Sequence, residues 1–187
     1  MHFDHETHRY THEGKIIPSV TQIIPRPEFY CTPEQLENAR LDGVENHAMV
    51  KLYFDTGDMY GDPYLVAFDK WLQENGSLLG DLLVYEEHLF SPTHFFAGTP
   101  DMVFEKAIVD LKRNFNHTKI HSLQLAGYHI LSRAHTLKKT KTWIIVWEQN
   151  GKFKSRNVYD PRAEEIFLAC LQKFKLEQAI ESYMKST

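Results

Sequence analysis

Gly98-Thr99-Pro100-Asp101 and, nine residues on, Asp110-Leu111-Lys112 are the two stretches on which the reading of this chain turns. Asp110 closes the apolar run Ala107-Ile108-Val109, which has the character of a buried strand rather than a charged loop. Side chains two apart on a strand share a face, so Asp110 and Lys112 project together. The short link Glu105-Lys106 makes 107–112 the partner of the preceding β-rich run, His94–Phe104, in an antiparallel hairpin. That pairing carries Asp101 toward Asp110 from the neighbouring strand. Two close carboxylates repel unless a cation lies between them, and hard divalent ions such as Mg²⁺ or Mn²⁺ suit them. A lysine beside such a pair can orient or activate the water that attacks a phosphodiester. The metal would polarise the phosphoryl oxygens and stabilise the departing alkoxide. An Asp-x-Lys triplet alone is common on surface hairpins. Its place at the end of an apolar run sets this one apart.

Working outward, Arg9-Tyr10-Thr11 and Lys15-Ile16-Ile17 flank His12-Glu13-Gly14 as a short hairpin, and Val20–Ile24 follows Pro18-Ser19. A helix is expected after Thr32, with Pro33 at its first position and Gln35 completing a capping box. Leu36, Gly43, His47, Val50 and Phe54 lie on one face of it, and Gly57 ends it. A second helix from Asp62-Pro63 to Asn75-Gly76 buries Leu65, Phe68, Trp71 and Leu72. Leu82–Phe90 reads as one β-rich run. Downstream of Lys112 a helix is expected over about 117–135, with Ile120, Leu123, Gly127, Ile130 and Leu131 toward the core. Thr142–Trp147 is the strongest central-strand signal, Asn150-Gly151 turns into Lys152–Val158, and Pro161 opens a final amphipathic helix. The expected fold is α/β: a mixed, antiparallel-rich central sheet flanked by helices, preceded by an N-terminal hairpin and helices. It forms one domain over 1–187, with hairpin and lead-in at 1–30, a helical part at 31–76, the sheet and its helix at 77–160, and the last helix at 161–187.

The chain is 187 residues, 42% hydrophobic and 25% charged, with a formal net charge of −4. An acidic balance usually disfavours a nucleic-acid partner, but the sum conceals an asymmetry. Between Leu111 and Trp147 there is no Asp or Glu, while Lys112, Arg113, Lys119, Arg133, Lys138, Lys139 and Lys141 contribute +7. Such a block can concentrate an electropositive surface on an acidic protein. Cys31 and Cys170 are the only cysteines, too few for a disulfide framework or a cysteine metal cluster. His2, His5, His8 and His12 crowd the N-terminus without the spacing of a closed zinc site. No apolar run is long enough to span a membrane, and 1–6 lack the character of a signal peptide. An intracellular, reducing compartment is expected.

Pro100-Asp101 followed by Asp110-Leu111-Lys112 resembles the signature of the PD-(D/E)XK nuclease superfamily. Gln124-Leu125-Ala126-Gly127-Tyr128 is similar to the QxxxY motif of its RecB-like exonuclease branch. Gly43-Val44-Glu45-Asn46-His47 is similar to that branch's glycine-to-histidine helix motif. The opening from Tyr10 to Thr21 resembles the N-terminal hairpin of small phage and mitochondrial members. The likeness runs in order from about residue 8 to the last helix. It implies a restriction-endonuclease-like core binding one or two Mg²⁺ or Mn²⁺ ions through Asp101, Asp110 and His47. Lys112 would be the catalytic lysine, with an acidic residue, Glu86 in preference to its neighbour Glu87, on the first sheet strand. Gln124 and Tyr128 would face the same centre. Departures are Arg113 where members often carry threonine, and Lys51 where a glutamate commonly follows the helix histidine.

The expected activity is metal-dependent DNA exonuclease action on single-stranded or frayed ends, in DNA processing or recombination. A structure-specific endonuclease, or a nuclease fold that binds DNA or protein without turnover, is the alternative. Arg113, Lys119, Arg133, Lys138, Lys139 and Lys141 are the expected DNA contacts, and Tyr128 and Trp143 are the aromatics near them, Trp143 preferred as core. A recombination or replication protein is a further conceivable partner. Membrane association is not expected, and the cysteine count excludes an iron–sulfur cluster. The resemblance places the chain in the cytoplasm of a bacterium or phage-infected cell rather than the mitochondrial matrix.

Overall fold

The computed structural model describes residues 1–4, 7, 9–25, 32–112, 115–136 and 140–185, and within its helices leaves aside the side chains at 33, 36, 39, 40, 42 and 134–136. His5, His8, Cys31, Arg113, Lys138 and Lys139, and the side chain of Leu36, lie outside the described residues.

A three-stranded antiparallel sheet opens the chain: β1 (His2–Asp4), β2 (Arg9–His12) and β3 (Lys15–Ile17). The expected hairpin is β2–β3, with Glu13 and Gly14 both at positive φ in its turn. Ser19 then caps the short helix α1 (Val20–Ile23) with a complete capping box. Helix α2 (Pro33–Thr56) begins at the expected box, Thr32 accepting from Gln35 N and Gln35 reciprocating, and ends on left-handed Gly57. Helix α3 (Pro63–Leu79) is capped by Asp62, whose carboxylate accepts from the Tyr64 and Leu65 amides. It runs through Asn75-Gly76, where the sequence signals a stop, because Leu79 is buried one turn further and Gly80, at φ 73°, closes the helix instead.

The Leu82–Phe90 run is divided between two sheets. β4 (Leu82–Tyr85) pairs antiparallel with β7 (Met102–Phe104), whereas β5 (Leu89–Ser91) pairs with β6 (Phe96–Gly98) in a separate ribbon. The break is at Glu86, whose φ of 43° turns the chain out of the first sheet. β8 (Ile108–Leu111) pairs antiparallel with β7, as the short link requires. Helix α4 (Thr118–Thr136) then crosses to β9 (Trp143–Glu148), parallel to β8. β10 (Phe153–Asn157) returns antiparallel through Asn150-Gly151, both at positive φ. The five-stranded order is β10-β9-β8-β7-β4, so β8 rather than β9 is the middle strand. α5 (Ala163–Lys185) ends the chain.

Alternation along the strands feeds two cores. Val103, Ile108, Trp143 and Ile145 point to one face and meet α1, α4 and α5 through Val20, Leu131 and Phe167. Met102, Val109, Leu111, Ile144 and Val146 point to the other and meet α2 and α3 through Val50, Phe68 and Trp71. The architecture is the α/β fold expected: a mixed central sheet between helices, preceded by a hairpin, with restriction-endonuclease-like topology.

Candidate active site

The C-terminal end of β8, the Pro100-Asp101 corner and α2 converge on one spot. Asp101 sits between β6 and β7, 13% exposed, and its Oδ2 accepts the Leu111 amide at 2.6 Å. That bond ties the corner to β8 beside Asp110. The Asp101 carbonyl in turn accepts the Glu86 amide at 3.0 Å, which fixes the turn leaving β4. From the opposite side α2 supplies His47, with Nδ1 3.4 Å from Glu86 Oε1 and 3.5 Å from Asp101 Oδ1. Glu87 is exposed, so Glu86 is the residue of the pair that reaches the cluster.

Asp110 lies one step deeper, 1% exposed, with Oδ2 2.6 Å from Lys112 Nζ. On the same side of the sheet α4 brings Gln124, whose Nε2 donates to Asp110 Oδ1 at 3.4 Å and to Tyr128 Oη at 3.2 Å. Gln124 and Tyr128 are one helical turn apart and both buried. Tyr128 is therefore not placed to stack a base, and Trp143, 1% exposed, is core as preferred. Sequence reading passed over His121. It shares the helix face of Gln124 three residues earlier, and its Nδ1 is buried without a hydrogen-bond partner among the described residues. The signal was that i, i+3 spacing.

Electrostatics bind the cluster tightly. The Asp101 charge, aided by the hydrogen bond that His47 donates to Glu86, holds His47 up at about 9 against burial. Burial, then the neighbouring Asp110 charge, pushes the Asp101 carboxyl up to about 6. Burial works against the Lys112 ammonium, but Asp110 and Asp101 outweigh it and raise its pKa. Burial keeps the Tyr128 phenol well above its ordinary value, and burial followed by Lys112 lowers His121.

Among the described residues no three His, Cys, Asp or Glu side chains form a ready-made metal cage. Three observations nevertheless fit a hard divalent ion. The donors His47, Glu86 and Asp101 border a cavity of about 10 Å³, room for one water-sized body. Asp110 Oδ2 is buried without a well-aligned hydrogen bond despite the nearby ammonium. The donor set is carboxylate oxygen with one imidazole, suited to Mg²⁺ or Mn²⁺ rather than a thiophilic metal. A larger cavity of about 510 Å³ opens alongside, sharing Lys51 and Glu86 and lined also by Thr21, His88, Thr99 and Tyr128.

The expected cationic contacts among the described residues, Lys119, Arg133 and Lys141, are scattered. Lys119 is exposed on the first turn of α4. Arg133 Nη2 is 3.1 Å from Glu164 of α5. Lys141 is exposed at the start of β9, the end of the sheet away from Lys112.

No family model and no curated protein matches the chain. Solved structures do match. One is LHK-Exo in complex with dAMP: 15% identical, covering 64% of this chain and 67% of that one, TM-score 0.45. Another is an alkaline exonuclease, LHK-Exo, from Laribacter hongkongensis: 16% identical with the same coverage, TM-score 0.43. A third is SSO0001: 14% identical, covering 71% of each chain, TM-score 0.39.

Proposed function

We propose that the chain is a metal-dependent deoxyribonuclease that hydrolyses phosphodiester bonds at single-stranded or frayed DNA ends. The observation that supports it most is the convergence of Glu86, Asp101 and His47 beside the buried Asp110–Lys112 pair. Asp101, Asp110 and His47, with Glu86 adjacent, would hold one or two Mg²⁺ or Mn²⁺ ions. A bound ion supplies Lewis-acid polarisation of the phosphoryl group and neutralises charge on the leaving oxygen.

The rest is work for the side chains. Lys112, held as an ammonium by Asp110, keeps its proton on Nζ and donates to the attacking water or a phosphoryl oxygen. Its part is orientation and charge stabilisation rather than proton abstraction. Gln124 and Tyr128 lock the Asp110 carboxylate in one orientation. The adjoining cavity, with Lys51 and the Thr21 and Thr99 hydroxyls on its wall, has the size of a small-ligand site and suits a terminal nucleotide. The described residues include no helix-turn-helix or finger for reading base edges, which favours backbone-directed cleavage.

The test is a digestion panel of linear single-stranded, linear duplex, 5′- and 3′-blocked and closed circular DNA with Mn²⁺, Mg²⁺ or chelator. Linear DNA is degraded with either ion and circles survive. Lys112→Ala loses about 10²–10³-fold in rate, and Asp110→Ala is inactive. Cleavage of circles reassigns the protein to endonucleases. Activity surviving Asp110→Ala, or none on any DNA, removes the nuclease reading.

A further inference from the structure

Outside the cluster, one surface joins aromatic rings to cations. Trp147 near the end of β9 stacks on Phe115, with ring centres 4.9 Å apart and planes 23° from parallel. Arg156 of β10 lays its guanidinium over the Phe115 ring at 4.5 Å. Lys154 is the direct cross-strand partner of Trp147 and shares its face, and Lys152 lies two residues earlier, in the turn that leads into β10. Lys152, Lys154 and Arg156 are exposed, and none is in an ion pair among the described residues.

This ledge lies on the same face and at the same end of the sheet as Lys112. The Lys112 amide donates to the Val146 carbonyl, next to Trp147. Asp110 and Lys112 project to the α4 side, as Ile145 and Trp147 do. β10 is two strands from β8, about 10 Å, and the three residues from Lys112 to Phe115 can reach no further than about 11 Å. The rings therefore lie within reach of a strand whose phosphate is held at Lys112.

We propose that Trp147, Phe115, Arg156, Lys154 and Lys152 form a binding track for single-stranded DNA leading to the candidate active site. The Trp147–Phe115 stack and the Arg156 guanidinium held over it offer a base a stacking partner, since guanidinium planes and aromatic rings both stack bases. The two lysines meet the flanking phosphates. Cations on an open edge strand also discourage sheet-to-sheet pairing. That role asks only for charge, not for a ring stack set among the charges. The proposal deepens the nuclease reading by naming the strand's path, and it rests on that reading for the direction of travel.

The test is fluorescence anisotropy of labelled oligo(dT) and of a duplex of equal length, with the full chain in chelator so that nothing is cut. Phe115→Leu, which keeps an apolar side chain, weakens oligo(dT) binding about tenfold. Lys154→Ala/Arg156→Ala weakens it at least as much and lowers the slope of log affinity against log salt by about 1.4. Duplex binding changes less than twofold, and circular dichroism melts confirm that the variants fold. Unchanged oligo(dT) binding in folded variants, or equal losses for duplex and single strand, overturns the track. Wild-type protein that cleaves DNA while the variants bind normally defeats the track alone. Wild-type protein that binds through the track but never cleaves defeats the nuclease reading alone.

Discussion

Asp110 has surrendered its hydration to sit 2.6 Å from Lys112, and each charge is tolerable there because of the other. In chelator, Lys112→Met leaves a buried carboxylate without its cation and costs about 3–5 kcal/mol. The same change on an Asp110→Asn background costs much less. A double-mutant cycle by urea denaturation reads that coupling. His121 carries a pH prediction. Burial, then Lys112, depress its pKa, so the folded state favours the neutral ring. Its stabilising contribution is present above the ordinary value of 6.5 and is lost as pH falls below it. His121→Gln should flatten that part of the acid-side loss in a series of thermal melts against pH. Gly98 is required by close approach. A Cβ there would lie 2.9 Å from Val20 Cγ2 and 3.0 Å from Tyr128 Cε1. Gly98→Ala should cost about 1–3 kcal/mol in urea unfolding and displace Tyr128.

At the scale of elements, the starts of helices were legible and some ends were not. Thr32-Pro33 and Asp62-Pro63 announce α2 and α3 because a capping side chain and a following proline act within four residues. Asp62→Ala should remove two capping bonds and cost about 1 kcal/mol by thermal or urea melts, with the fold intact. Asn75-Gly76 looked like a stop and was not, because burial of Leu79 outweighs the modest helix cost of one glycine. The Leu82–Phe90 run concealed a change of sheet. Both halves have β propensity, and only the pairings of β4 with β7 and of β5 with β6 separate them. The positive φ at Glu86 that makes the break also aims its carboxylate at His47.

Across the molecule, Phe167 joins the parts. It is fully buried, packs tilted against Phe96 of β6 with ring centres 5.1 Å apart and lies where a Cβ on Gly127 of α4 would be 2.7 Å away. Phe167→Ala should cost about 3–5 kcal/mol. If 1–187 is one domain, tryptophan fluorescence and far-ultraviolet dichroism will lose signal at one urea midpoint in wild type and variant alike. The sequence by itself determined the β7–β8 hairpin, the capped helices, the two-faced alternation of the sheet and the approach of Asp101 to the strand that carries Asp110 and Lys112. These follow from spacing, turn length and capping, which act over a few residues. Only the tertiary structure decided that Glu86 rather than Glu87 meets His47, that Arg133 pairs with Glu164, and that Phe115 stacks on Trp147 with Arg156 over its ring. These contacts join residues far apart in the chain. Their partners are selected by how the helices and strands pack, which no local pattern records.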